Sequence, residues 1–145
     1  MHLCTHSQNL SFSATAKPGR GAADFYVPTM HQPLRQTWCG TLDLNTIVQQ
    51  LKIRAKVVCL TRSAEGCLLI AGDNQTEVPA AKVKALDTNG AGDMFAGAFL
   101  YGVTQGHSLR QAAWLANHAA GQVVSQYGNR LTQQAMAQID RKSVV

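Results

Sequence analysis

A glycine-rich turn that runs directly into an apolar segment constrains the fold of this chain most strongly. Residues 86 to 100 read LDTNGAGDMFAGAFL and place small residues between two acids, Asp87 and Asp93. The small residues are Gly90, Ala91 and Gly92. At a helix start such residues expose backbone N–H groups, and the helix dipole favours negative charge there. The stretch therefore predicts an anion site with Asp93 in the first helical turn beside it.

Two simpler interpretations compete with a functional one. Asp93 could serve only the helix dipole, while Asp87 could only close an Asx turn. A calcium loop of the EF-hand type is the other competitor, and the sequence excludes it. Ala91 stands where that loop needs an oxygen ligand, and Ala98 stands where it needs a bidentate Glu.

The two zones of the chain differ in pattern. Residues 1 to 40 are rich in His, Ser, Thr and Pro and lack a sustained period, so we expect an irregular segment there. From residue 41 onward the pattern is regular and predicts an α/β layer. In chain order, the predicted elements are a helix over 41–52, strands over 56–61 and 66–71, short strands within 75–86 interrupted at Pro79, and helices over 94–103, 109–127 and 132–139. Thr41 and Asp43 are candidate N-caps of the first helix, Ser108 is the expected N-cap of the helix over 109–127, and Gly128 is its C-cap. That helix has an apolar stripe that runs from Leu109 to Tyr127.

Composition narrows the class of protein. Apolar residues make up 46% and charged residues 14% of the 145 residues, which is typical of a globular protein. The net charge of +5 comes from scattered Lys and Arg without interleaved aromatics, so we expect no nucleic-acid partner. No stretch has the length of a membrane span, and the N-terminus lacks the order of a signal peptide. Cys59 and Cys67 lie in apolar runs that favour buried, reduced thiols, and we expect a cytoplasmic protein.

The chemistry that the glycine turn suggests is phosphoryl transfer to an alcohol. That reaction needs positioning, stabilisation of charge and one acceptor for the hydroxyl proton. Backbone amides beside a carboxylate base would supply the last two, with Asp93 as the acceptor.

The segment DTNGAGDMFAGAFL, residues 87–100, resembles the C-terminal signature of the ribokinase/PfkB family of sugar and nucleoside kinases. The likeness continues through VVCLTRSAEGCLLI (57–70) and SQYGNRL (125–131), and so covers roughly residues 41–140. DTNGAGDMFAGAFLYG and VVSQYG look most like bacterial adenosine-kinase-type members. The resemblance implies that residues 41–145 are the nucleotide-binding, C-terminal portion of a three-layer α/β/α ribokinase-like fold, and that residues 1–40 lie outside the match.

The resemblance also assigns roles to residues. Asp93 would be the catalytic base for a nucleoside or sugar hydroxyl, with ATP as phosphoryl donor and Mg²⁺ as cofactor. The residues whose amides would form the anion hole are Gly90, Ala91 and Gly92. The residues that would border the ATP phosphates and ribose are Thr61, Ser63 and Gly66, although family members usually carry Gly where this chain has Ser63.

Asn117 would flank the adenine. An equal alternative is that Asn117 is only a polar residue at the boundary of the apolar face of its helix. Gly128 completes the nucleotide-binding set, and Asp87 and Asn89, with carbonyls near Val124 and Gly128, match a K⁺ site.

Much of a complete family member has no counterpart in this sequence. The family's N-x-x-E motif is absent, since no Glu precedes Glu65. We therefore expect a truncated chain whose half sheet could self-associate through an exposed edge. Three hypotheses follow: an active kinase, an inactive remnant that binds nucleotide or phosphate, and a module that completes its sheet with a partner.

Overall fold

The computed structural model describes residues 3–7, 10–13, 23–28, 43–53, 55–128 and 130–143. The strands are β1 (Leu3–Ser7), β2 (Leu10–Ser13), β3 (Ala23–Pro28), β4 (Ala55–Thr61), β5 (Cys67–Ala71) and β6 (Asn74–Val78). The helices are α1 (Leu44–Lys52), α2 (Ala91–Thr104), α3 (Leu109–Val124) and α4 (Gln133–Ser143), with a 3-10 turn at Ser63–Glu65. The chain forms two compact units, residues 1–63 with 68–76, and residues 64–67 with 77–145.

The six strands form one sheet in the order β2-β1-β3-β4-β5-β6. β1 pairs with β2 antiparallel and with β3 parallel, and β3 pairs with β4 parallel. In the β3–β4 register, Phe25 lies opposite Val57 and Tyr26 lies opposite Val58. Parallel pairing beside helices is the α/β layer that the sequence predicts.

Residues 1–40 differ from the expectation of an irregular segment, because β1, β2 and β3 lie within them. These strands have four to six residues each. β1 and β2 pair locally, but the parallel partners of β1 and β3 lie farther along the chain, and such pairing leaves little trace in a short window of sequence. The remainder of the segment falls outside the described residues.

The core of the first unit lies between α1 and β4 with β5. Side chains alternate along a strand, so Val58 and Leu60 of β4 face the same way. The buried residues that share this core are Ile47, Val48, Leu51, Ala55, Val58, Leu60, Leu68 and Ile70. The cap of α1 follows the sequence prediction, because the Asp43 carboxylate accepts from the amide (2.9 Å) and hydroxyl (2.7 Å) of Thr46.

Helices α2 and α3 pack closely in the second unit. A Cβ added to Gly102 would lie 2.9 Å from the Cβ of Ala112, so this contact needs a glycine. Around it the core consists of Phe95, Ala98, Phe99, Ala113, Leu115, Ala116, Ala119 and Val123. Ser108 begins α3 with a capping box, in which its side chain accepts from the amide of Gln111 and the Gln111 side chain accepts from the amide of Ser108. This is the N-cap that the sequence predicts.

Helix α3 ends at Val124, three residues before the predicted end at Tyr127. The carbonyl of Val124 accepts from the amides of Leu86 (2.7 Å) and Asp87 (3.2 Å). A carbonyl has two lone pairs, so both are then in use and no further helical bond forms at this point. Tyr127 is 83% exposed and does not join the apolar stripe. Gly128 follows with φ of 93° in a bend beyond the helix.

Candidate functional site

The glycine turn, residues 87–93, joins an extended segment to the start of α2. Gly90 caps the helix in the left-handed conformation, with φ of 76° and ψ of 0°. Glycine adopts this conformation without the steric cost of a Cβ. The carbonyl of Gly90 accepts from the amide of Met94 (2.9 Å), which closes the first helical turn. The sequence therefore places a sharp bend just ahead of exposed helix amides.

The backbone amides that could meet an anion at the start of α2 differ by one residue from the expected set of Gly90, Ala91 and Gly92. The Ala91 amide donates to the carbonyl of Thr88 (3.3 Å) and so helps to close the turn. Within the described part of the chain, the amides of Gly90, Gly92 and Asp93 donate to no carbonyl. The first amides of a helix have no partner inside the helix and are free to meet an anion. The arrangement accordingly presents Gly92 and Asp93, with Gly90 beside them.

Asp93 lies in the first turn of α2, and its side chain is exposed. Among the described residues, no hydrogen bond or ion pair engages its carboxylate. An open groove of about 390 Å³ runs from this carboxylate along α2. The residues that line it are Gly90, Asp93, Met94, Gly97, Ala98, Tyr101, Leu131 and Met136. Asp93 is thus accessible to a bound molecule.

The groove brings in residues that the sequence analysis did not select. Asp93, Gly97 and Tyr101 are spaced by four residues, so they share one face of α2. That spacing was visible in the sequence and could have identified Tyr101. Leu131 lies just before α4 and Met136 lies in its first turn. No local sequence pattern points to either residue.

The residues of the predicted cation site have structural partners. Asp87 Oδ1 accepts from the amide of Asn89 (3.0 Å), which is an Asx turn. The Val124 carbonyl, which is expected near this cation, accepts from the amides of Leu86 and Asp87. The described residues contain no group of three His, Cys, Asp or Glu side chains arranged for a metal. A cation at Asp87 and Asn89 stays a prediction.

The predicted phosphate-loop residues lie in two different units. In the first unit, Thr61 is buried at the end of β4, and Ser63 is exposed with φ of 55°. Glycine adopts a positive φ without steric cost, so the Gly that the resemblance leads us to expect at this position would fit the backbone. In the second unit, Gly66 has φ of 92°, and a Cβ there would lie 2.1 Å from the carbonyl oxygen of Val78. Their contacts with a nucleotide stay predictions.

Asn117 is 6% exposed in the middle of α3. Its Nδ2 donates to the carbonyls of Val78 (3.0 Å) and Pro79 (3.1 Å), and also lies 3.6 Å from the Sγ of Cys67. The boundary-residue alternative of the sequence analysis therefore has a physical basis. The role beside adenine is not tested by these contacts. Cys67 and Cys59 are buried, in accordance with the sequence prediction.

The described helices include none with the length and apolar character needed to cross a membrane.

Comparison with known proteins assigns the chain to a family of kinases. The model of the pfkB family carbohydrate kinases matches residues 29–136. A ribokinase of Lactococcus lactis is 31% identical over 106 residues, which is 72% of this chain and 33% of the relative. Among solved structures, adenosine kinase from Sinorhizobium meliloti is similar with a TM-score of 0.74 at 30% identity, over 83% of this chain and 36% of the other. Ribokinase from Thermotoga maritima shares the fold with a TM-score of 0.72 at 24% identity, over 82% of this chain and 42% of the other.

These matches confirm the predicted ribokinase-like fold and extend the family match towards the N-terminus, to residue 29. The chain spans about a third of the length of the curated relatives that it matches.

Proposed function

The chain belongs to the pfkB family of carbohydrate kinases, and from that premise we propose that it transfers the terminal phosphoryl group of ATP to a hydroxyl of a nucleoside or a sugar. The observation that carries the proposal is the exposed Asp93 carboxylate in the first turn of α2, directly beside helix amides that meet no carbonyl among the described residues. The names of the relatives, ribokinase and adenosine kinase, support an acceptor of this kind.

Each part of the site has a chemical role in this reaction. The acceptor oxygen attacks the γ-phosphorus, the bond to the ADP oxygen breaks, and the hydroxyl proton passes to Asp93. The amides of Gly92 and Asp93, with that of Gly90, stabilise negative charge on the transferred phosphoryl oxygens. Mg²⁺ bound to the phosphates neutralises further charge. A carboxylate so close to amide donors is well placed to receive the proton without moving.

The groove along α2 gives the acceptor a place next to the base. Its walls combine the Asp93 carboxylate with Met94, Tyr101 and Met136. Polar groups at one end and apolar side chains elsewhere are typical of small-molecule sites. An acceptor held there would present its hydroxyl to Asp93.

A second candidate function is binding of nucleotide or phosphate without turnover. The observation that favours it is the coverage of about a third of the curated relatives' length. The anion-facing amides lie on this chain, so an anion could bind even if the acceptor found no complete pocket. The two functions differ in turnover and not in nucleotide affinity.

Purified protein incubated with ATP and Mg²⁺, and with adenosine or ribose as acceptor, tests the proposal through release of ADP. We expect acceptor-dependent turnover that falls about 10²- to 10⁴-fold in Asp93→Asn, because that variant loses the proton acceptor but keeps the size of the side chain. The binding of ATP, measured by calorimetry, should be retained by this variant.

Asp73→Asn is the matched control, since Asp73 is also an exposed acid but lies in the β5–β6 turn, where it pairs with Lys52 (2.9 Å). Its turnover should equal that of the unaltered chain. Binding of ATP without turnover would replace the kinase by the second candidate. An Asp93→Asn variant as active as the control would show that Asp93 is not the base.

A further inference from the structure

One face of α3 contacts the segment that leads into the glycine turn. Asn117, Gly121 and Val124 are spaced by four and three residues, so they lie on the same side of the helix. We call these three residues the contact face. Opposite it runs the connecting segment, residues 78–87, which has no regular secondary structure after β6 ends at Val78. The two meet at three successive points.

The first point is a pair of hydrogen bonds from a buried amide. Asn117 Nδ2 carries two hydrogens, and it donates to the carbonyls of Val78 (3.0 Å) and Pro79 (3.1 Å). The carbonyl of the buried Val78 needs such a partner, because an unpaired buried polar group is costly. Asn117 therefore fixes where the chain leaves β6.

The second point is a close approach that depends on a missing side chain. A Cβ added to Gly121 would lie 3.0 Å from the Cβ of Ala81 and 3.7 Å from the nearest methyl of Val83. The connecting segment thus lies against the helix backbone at this position. Any larger residue would push the segment outward.

The third point lies immediately before the glycine turn. The Val124 carbonyl accepts from the amides of Leu86 (2.7 Å) and Asp87 (3.2 Å). Asp87 then accepts from the amide of Asn89 (3.0 Å), and Gly90 caps α2 directly afterwards. The contact face thereby connects continuously to the residues that carry the anion site.

We infer that the contact face of α3 positions the glycine turn, and that Asn117 acts on nucleotide binding as a positioning residue. Both hydrogens of its Nδ2 serve carbonyls of the connecting segment, so Oδ1 is the one polar atom of this amide that could meet a base. Asn117 holds the connecting segment, and that segment sets the position of the amides of the turn. An effect of Asn117 on nucleotide binding through these amides rests on the proposed function.

Selective ¹⁵N-glycine labelling of the full chain tests, without any ligand, whether the contact face positions the glycine turn. The sequence has 12 glycines, so the spectrum is simple, and Gly90 and Gly92 report on the turn. In Asn117→Ala we expect both resonances to shift, although they lie far along the chain from residue 117. Gln122→Ala is the matched control, because Gln122 is an exposed residue of the same helix. Shifts no larger than those of the control would overturn the inference.

Gly121→Ala provides a second variant in case Asn117→Ala fails to fold. It leaves Asn117 intact and strengthens the helix itself. Its Cβ must displace Ala81, so the connecting segment should move and shift the same two glycine resonances. Unchanged resonances in Gly121→Ala would equally contradict positioning by the contact face.

Comparison of ATP with GTP tests whether Asn117 acts on nucleotide binding only by positioning the turn. If Asn117 only positions the turn, Asn117→Ala weakens the binding of both nucleotides alike, and the ratio of their Kd values keeps its original value. If Asn117 reads adenine, the ratio should change about tenfold or more, because a recognition bond is lost for one base only. Such a change would overturn the inference. If the unaltered chain binds neither nucleotide, the proposed function fails, while the glycine resonances still decide whether the contact face positions the turn.

Discussion

Ser63 is, among the described residues, the non-glycine residue with a positive φ, at 55°. For a residue with a Cβ, the left-handed region of positive φ raises the free energy of the folded state by about 1–3 kcal/mol. Ser63→Gly removes that strain but loosens the unfolded chain, which opposes the gain by about 0.5–1 kcal/mol. We expect a net stabilisation of about 0–2.5 kcal/mol, seen as a higher midpoint in urea unfolding.

Ser63→Ala is the control for this prediction, because it removes the hydroxyl and keeps the Cβ. Its stability should stay at or below that of the unaltered chain. Both variants lack the hydroxyl, so a Ser63→Gly variant less stable than Ser63→Ala would show that the positive φ at this position stores no strain that a glycine relieves.

At the same scale, the sequence identified the acid and the glycines of the site but not the partners of its side chains. Asp93 and Gly90 belong to one short motif, so local spacing was sufficient to find them. The bonds of Asn117 to Val78 and Pro79 span 39 and 38 residues, and such contacts exist only after the chain has folded. The use of the Ala91 amide within the turn likewise depends on a backbone geometry that residue types do not specify.

At the scale of elements, the N-cap of α1 makes stability depend on pH. Hydrogen bonds from the hydroxyl and then the amide of Thr46 lower the pKa of Asp43 below its ordinary value of 3.8. The carboxylate therefore contributes stability above that ordinary value, and the contribution is lost as pH falls through the lower folded pKa. Asn also caps helices but does not titrate in this range.

We expect Asp43→Ala to lower Tm at pH 7, and Asp43→Asn to lower it less. The Tm of the unaltered chain should fall relative to that of Asp43→Asn between pH 5 and pH 2, measured by circular dichroism. A Tm difference between these two proteins that does not vary with pH would show that the Asp43 charge has no role in the cap.

Two glycines of α2 give opposite predictions for the same substitution. A Cβ at Gly97 meets nothing within 4 Å outside its own helix, whereas one at Gly102 meets Ala112 at 2.9 Å. Gly97→Ala should stabilise by up to about 1 kcal/mol through helix propensity. Gly102→Ala should destabilise by about 1–3 kcal/mol, because the helix backbones must separate. Urea unfolding of the pair checks both, and equal effects would disprove the close α2–α3 contact.

Helices with clear periodicity were predicted well, because their caps and apolar positions lie within a few residues of one another. Helix α1 with Asp43 and helix α3 with Ser108 are examples. Strands β1 and β2 were missed although they pair locally, because residues 1 to 40 lack a sustained period. Strand β3 was missed, because parallel pairing joins residues such as Phe25 and Val57 that are distant in sequence. The end of α3 was placed three residues too late for the same reason, since a tertiary contact at Val124 ends it.

At the scale of the whole molecule, the edges of the sheet bear on the expected self-association. The outer strands are β2 and β6, and most of β6 is polar and exposed. Glu77 places a charge on this edge, which is a common defence against strand pairing between molecules. Association of copies through this edge stays a prediction, and β6 is the less favourable place for it.

The parts of the anion site that do not involve Thr61 and Ser63 come from a single unit, residues 64–67 and 77–145. The glycine turn, the connecting segment and the contact face of α3 all lie within it. Binding of a phosphate group to the turn therefore needs only contacts that this unit makes with itself. Nucleotide binding can then be measured as a gain in stability of the chain, independently of any acceptor.

We expect ATP with Mg²⁺ to raise Tm, because a ligand that binds only the folded state stabilises it by about 2.7 kcal/mol at a hundredfold excess over Kd. Adenine alone, which has neither phosphates nor a ribose hydroxyl, should produce a smaller rise, because the proposed anion site would have no charged group to bind. Asp93→Asn should keep the ATP-dependent rise, as it keeps the amides and loses only the proton acceptor. A rise with adenine as large as that with ATP would place recognition on the base and would contradict an anion site at the start of α2.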